Sequence, residues 1–141
     1  MRQSDIRLWH IYFVENCIHT TPIKNKFVII VCLDERPMGF LINSAINDFI
    51  INRPNLSACQ AAITGDEHRI LKRNSYVDCS NIYPFDDWEL RRRHDAVSAN
   101  AKYQLVRAVG QCLILPRRYK NLILMNEAEL WEQIQRDLKD S

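Results

Sequence analysis

Five residues of this chain have side chains suited to chemistry: His19 in a polar loop, Lys26 at the head of an apolar run, the pair Asn43-Ser44, and Asp78 inside an apolar stretch. An imidazole titrates nearest neutrality and moves a proton either way. An ammonium steadies a developing anion as a point charge. A carboxylate takes a proton or accepts N–H bonds. The densest basic run, Arg91-Arg92-Arg93-His94, has the charge to follow a phosphate backbone, with binding steeply dependent on salt. The plainer reading of that run is a solvated loop, or a landing site for an acidic partner segment.

The five cysteines (Cys17, Cys32, Cys59, Cys79 and Cys112) are odd in number and widely spaced, with no C-x-x-C. A structural zinc site uses paired ligands at short spacing, so no metal and no cofactor is expected. Cys32, Cys79 and Cys112 lie in apolar surroundings, where reduced cysteine behaves as a small core hydrophobe. Free thiols throughout fit a reducing compartment.

The elements that must position these groups follow from periodicity. Trp9 to Val14 is aromatic and β-branched, the composition of a first strand. Glu15 to Asn25 is polar and reads as a loop that Lys24 and Lys26 help to bracket. Phe27 to Leu33 is seven apolar residues in a row, the pattern of a strand buried on both faces. After the turn at Asp34 to Pro37, Met38 to Ile42 completes a hairpin ended by Asn43-Ser44. Ile46 to Pro54 is a short helix or an irregular excursion. Ser57 to Ile63 reads as a fourth strand of composition that also suits a helix, and Ser75 to Cys79 alternates as a fifth. Trp9 and Trp88 read as core. Ser98 is placed to cap a helix over about 99–113, with Ala101, Leu105, Ala108, Val109 and Cys112 on one face. Asn126, with Glu129 three residues on and Met125 and Leu130 as a staple, predicts the start of a last helix. Its apolar stripe is Leu130, Trp131, Ile134 and Leu138, placed to pack on the chain's own fold or a dimer mate.

Length and charge bound the whole. A chain of 141 residues, 47% hydrophobic and 26% charged, has the composition of one globular domain. Its apolar runs are far short of the roughly 20 residues a membrane helix needs. Met1 to Arg7 has no signal-peptide pattern, so a cytoplasmic protein is expected. The net charge is only +2, but Trp88 to Lys120 holds eight basic and two acidic residues, and Asn126 to Ser141 holds five acidic and two basic. A basic segment beside an acidic tail fits a phosphate-binding face or two solvated helix faces. Strands followed by helices predict an α+β fold, and about five strands favour a small twisted barrel that limits exposed edges.

The order of these features resembles the MazF/PemK family of toxins. It is carried by the opening strand and polar loop, then Lys26-Phe27-Val28-Ile29-Ile30-Val31-Cys32. A strand ending in Asn43-Ser44 follows, then Ser75-Tyr76-Val77-Asp78-Cys79-Ser80 and the helix from Ala99. The resemblance spans about residues 5–115. It implies a SH3-like barrel related to CcdB over 1–115, with 116–141 as an extension, and a homodimer that cuts single-stranded RNA without metal. It also implies a cognate antitoxin that covers the groove with an acidic segment. Lys26 stands at the family's catalytic arginine, Asn43-Ser44 at its Ser/Thr pair and Asp78 at its aspartate. Phe27, Tyr76 and Arg7-Leu8-Trp9 replace a proline, an arginine and a Gly-Asp.

Metal-free RNA cleavage uses the 2′-hydroxyl against the adjacent phosphate and needs a base, an acid and cations for the phosphorane charge. On that chemistry Asp78 serves as base, His19 as acid or base by the nature of its imidazole, and Lys26 steadies the anion, while Asn43 and Ser44 hydrogen-bond phosphate or a base edge. Tyr76 stacks on an unpaired base, and Lys24, Arg91, Arg92 and Arg93 hold the backbone. Each has a plainer role: Lys26 as an edge charge, Asn43-Ser44 as a turn, Asp78 as a structural acceptor, His19 as a loop residue and Tyr76 as core or interface. Two rivals remain on the same barrel. One is a silent binding module, and the other a CcdB-like inhibitor of a protein target.

Overall fold

Strand β2 (Lys24–Leu33) is the axis of the molecule, with β1 (His10–Cys17) on one side and β3 (Pro37–Asn43) on the other, all antiparallel. The computed structural model describes residues 5–140. Met1 to Ser4 and Ser141 lie outside them, so the signal-peptide reading falls partly outside the described residues. Beyond β3 the chain makes α1 (Asp48–Ile51), α2 (Pro54–Ser57), β4 (Gln60–Ile63), β5 (Ser75–Asp78) and β6 (Tyr83–Pro84). It ends in β7 (Arg92–Ala96), α3 (Ala99–Gln111), α4 (Arg117–Asn126) and α5 (Ala128–Asp140). The α+β class is as expected. One seven-stranded antiparallel sheet runs β4-β5-β3-β2-β1-β7, and β6 takes the length of the β3 edge that β5 leaves.

The sheet buries both faces. On one, Ile11, Ile29, Phe40, Ile42 and Val77 meet Leu105, Val109, Ile123 and Ile134 from the three C-terminal helices. On the other, Tyr12, Val14, Val28, Ile30 and Leu41 meet Phe85 and Leu90. A bulge decides which face receives Cys17. Val14 pairs with Lys26 and Cys17 with Lys24, so β1 carries one extra residue, and Asn16 sits at φ 50°. Asparagine tolerates that left-handed backbone better than most residues. The insertion turns Cys17 to the Val14 side, where it is fully buried.

Several expectations need correction. The loop read over Glu15 to Asn25 shrinks to the six residues between β1 and β2, because both strands extend into it. The fourth strand begins only at Gln60: Pro54 supplies a helix-compatible first position, and Ser57 closes α2. The arginine run is no loop. Arg92 to Ala96 form an edge strand paired with β1, since the bond ladder needs only backbone. Trp88 is 64% exposed, whereas Trp9 is buried. Not every thiol is free, because Cys59 and Cys112 form a disulfide between the start of β4 and the end of α3.

Ser98 caps α3 as its sequence implies, accepting the Ala101 N–H at 3.0 Å. Asn126 does not cap. It ends α4, the chain bends at Glu127, and α5 follows at once. Met125 is 72% exposed, so no staple forms. The apolar stripe of α5 does pack on its own fold: Ile134 is fully buried, and Leu130, Trp131 and Leu138 lie against the same core. Gly110 on α3 makes this possible, because a Cβ there would stand 2.1 to 2.8 Å from three Trp131 ring carbons.

Gly110→Ala should therefore push α5 off α3. A loss of about 1–3 kcal/mol is expected from overpacking, read as a lower denaturant midpoint. Trp131→Ala should cost less in that background than in the parent, because the two residues share one contact.

Candidate functional site

Alternation along paired strands carries the chemistry-bearing residues to defined faces. Lys26 follows the parity of Val28 and Ile30, Asn43 that of Leu41, and Tyr76 that of Asp78, opposite buried Val77. Val14 pairs with Lys26, and Asn43 pairs with Tyr76. The Lys26 ammonium donates to the side-chain Oδ1 of Asn43 at 2.6 Å, joining the two pairs into one row. Lys26, Asn43, Tyr76 and Asp78 thus share one face of three adjacent strands, β2, β3 and β5. All four are half-buried.

His19 joins them from the β1–β2 loop. Its ring stacks on Tyr83 at 4.5 Å and meets Phe85 edge-on at 5.2 Å. Nε2 lies 2.9 Å from the Pro84 carbonyl. A carbonyl only accepts, so Nε2 carries the proton. A neutral His19 then keeps Nδ1 as a free lone pair.

The electrostatics agree with this grouping. Burial pulls the Lys26 ammonium below the ordinary lysine range, Lys24 adds to the effect, and Cys17 opposes it. Burial pushes the Cys17 thiol up, against the His19 backbone N–H, with Glu89 raising and Lys26 lowering it further. The Tyr83 phenol is raised by burial, then by Asp78 and by Cys17. The couplings run in a chain, from Lys26 to Cys17, from Cys17 to Tyr83 and from Tyr83 to Asp78.

Asp78 is already engaged. Its Oδ1 accepts from Gln60 Nε2 and the Ser80 backbone N–H, each at 3.0 Å, and from the Ser80 hydroxyl. Among the described residues, only Asn81, at 3.5 Å, reaches Oδ2. The carboxylate closes the turn after β5 and keeps one oxygen lightly held.

The other proposed residues lie elsewhere. Ser44 is exposed just past β3 and lines a 240 Å³ cleft with Phe13, Phe27 and Ile42, residues of the helix-covered side. Lys24 and Lys26 line the same cleft. Arg91 and Arg92 approach Glu15 at 3.8 and 2.8 Å, and Arg93 pairs opposite Tyr12. All three arginines lie beyond β1 from Lys26. Sequence reading missed Tyr83, Gln60 and Cys17. Gln60 and Asp78 are cross-strand partners with no short-range signal, and Cys17 reaches the site only through the bulge.

This arrangement can hold an anion at a partly desolvated ammonium and move a proton at an oriented imidazole. No family model and no curated protein matches this chain.

Proposed function

We propose that this protein is a toxin of the MazF/PemK kind, a metal-independent endoribonuclease acting on single-stranded RNA. One observation carries the reading: the Lys26–Asn43 contact at 2.6 Å lies in a row with Tyr76, beside Asp78 and the loop that brings His19. What supports a SH3-like barrel is the bending of the sheet. Bulges interrupt the β1–β2, β2–β3 and β1–β7 ladders, and β3 carries β5 and β6 in succession on one edge. A homodimer and an antitoxin that covers this face belong to the same reading.

The chemistry follows from the groups in place. His19 Nδ1 takes the proton of a 2′-hydroxyl, whose oxygen forms the new bond to the adjacent phosphorus. The bond to the 5′ oxygen breaks, and that oxygen takes a proton from solvent at the half-exposed rim. The Lys26 ammonium steadies the negative phosphorane oxygens, and Asn43 holds its Nζ in place. Asp78 fixes the turn beneath the site through Oδ1, a positioning role in place of the base. Tyr76 offers a ring to a neighbouring base.

A silent RNA-binding module on the same fold is the second reading. It is favoured by the saturation of Asp78 Oδ1, which leaves the site with a single unencumbered base.

In EDTA, single-stranded RNA should yield fragments ending in 2′,3′-cyclic phosphate. His19→Ala should slow cleavage by about 10²–10⁴ and Lys26→Ala by about 10²–10³. Intact RNA that still shifts in a low-salt binding gel would select the silent module instead.

The rate should also depend on pH through Lys26. Its lowered pKa means that the charge is lost, as pH rises, below the ordinary value of 10.5. An alkaline fall in kcat/KM is expected there for the native protein. Lys26→Arg should abolish it, because a guanidinium keeps its charge. An alkaline limb that stays in place in Lys26→Arg would show that another group titrates.

A further inference from the structure

The 240 Å³ cleft on the helix-covered side of the sheet differs in charge from its neighbours. Lys24, Lys26 and Arg73 line it, with Ser44 and Ser75, and no carboxylate does. Four other surface clefts each contain at least one acidic residue. Among the described residues, neither Lys24 nor Arg73 makes an ion pair. Part of the wall is aromatic. Phe13 and Phe27 are cross-strand partners with ring centroids 5.2 Å apart, and both remain half-buried. The Arg92 guanidinium lies 5.7 Å from the Phe13 centroid. Arg73 stands on a pinned loop, where the Ser75 hydroxyl donates to its carbonyl at 3.2 Å and Asn74 Oδ1 accepts the Gly65 N–H at 3.0 Å.

From these features we infer that the cleft is a second nucleotide subsite, in which one unpaired RNA base stacks on Phe13 and Phe27 while Lys24 and Arg73 hold its flanking phosphates. This rests on the single-stranded RNA reading above and names where the chain continues beyond the reacting phosphate. Half-buried aromatic rings beside cations that make no ion pair are the pattern of single-strand recognition, because every base has a face to stack and every link has a charge. Lys26 connects the two places. It lines this cleft, and its ammonium reaches Asn43 on the opposite face. An RNA strand rounding the rim at Lys26 would have its scissile phosphate on one side and a held base on the other.

The test uses a labelled 2′-O-methyl oligoribonucleotide of mixed sequence, which lacks the attacking hydroxyl and so reports binding alone. Phe27→Leu and Phe13→Leu should each weaken its binding by about 5- to 150-fold, the range for one stacked base. Arg73→Gln and Lys24→Gln should each lower the slope of log K against log salt by about 0.7. Both are exposed, so these two variants read the subsite without disturbing the core. Arg69→Gln, in a different cleft, should change nothing. If the native protein cleaves RNA in a Lys26-dependent way while all four variants bind as the parent does, the subsite is overturned and the nuclease reading stands. If the native protein neither binds nor cleaves single-stranded RNA, both fall together.

Discussion

Burial of β2 on both faces is the constraint from which the rest follows. Val28, Ile29, Ile30, Val31 and Cys32 are all essentially inaccessible. A strand in that position has no freedom of register, because a slip by one residue would exchange every side chain between two packed cores. From Ile30 back to Lys26 the alternation is unbroken, and it reaches the polar start of the strand. Lys26 must share the side of Val28, and Phe27 that of Ile29. A cation and an aromatic ring, adjacent in sequence, thus serve opposite faces of one sheet. The bulge at Asn16 adjusts the neighbouring strand to the same plan, turning Cys17 inward and bringing the His19 loop over Tyr83.

The polar end of the sheet is held at a cost to stability. Lys26 is partly desolvated next to another cation, and burial favours its neutral form. Asn43 offsets some of this by accepting from the ammonium. A leucine in the same place would extend the core of that face without a charge to solvate. Asp78 shows the contrasting case. Its carboxylate is bound by an amide, a backbone N–H and a hydroxyl within three residues and one cross-strand partner. Such a group stabilises the turn that launches β6, and β6 carries the Tyr83 ring beneath His19. The two ionised groups of the site therefore have different duties: one is held in an unfavourable setting, and the other supports the scaffold.

Much of the frame was legible in the chain. The doubly buried strand announced itself by an unbroken apolar run, and α3 by Ser98 and a helical stripe. Lys26, Asn43, Tyr76 and Asp78 were legible as candidates, and their shared face is a consequence of parity once the pairing is known. The failures have physical causes. Arg92 to Ala96 are mostly charged and mostly exposed, yet an edge strand asks only for backbone bonds to β1. Asn126 has the side chain of a cap, but Leu122 to Leu124 had already extended a helix to it. The disulfide joins residues 53 apart in sequence, which no spacing rule could pair. Ser44 was misplaced because strand parity puts a residue next to Asn43 on the opposite side.

Packing stops at the same place on both faces. Along one side of β2, exposure falls from half-buried Phe27 to fully buried Ile29 and Val31; along the other it falls from half-buried Lys26 to fully buried Val28 and Ile30. The C-terminal helices account for the first gradient, since their buried anchors Ile123 and Ile134 belong to the core with Ile29 and Val31. Phe85 and Leu90 account for the second, lying over Val28 and Ile30. Neither cover is complete at the start of the strand, so two half-buried patches meet across one thickness of sheet. A sheet is thin enough for one lysine to take part in both, which a helix pair of similar size would not allow. The strand leaves its two cores at the one end where a cation and an aromatic ring stand side by side, both half-buried.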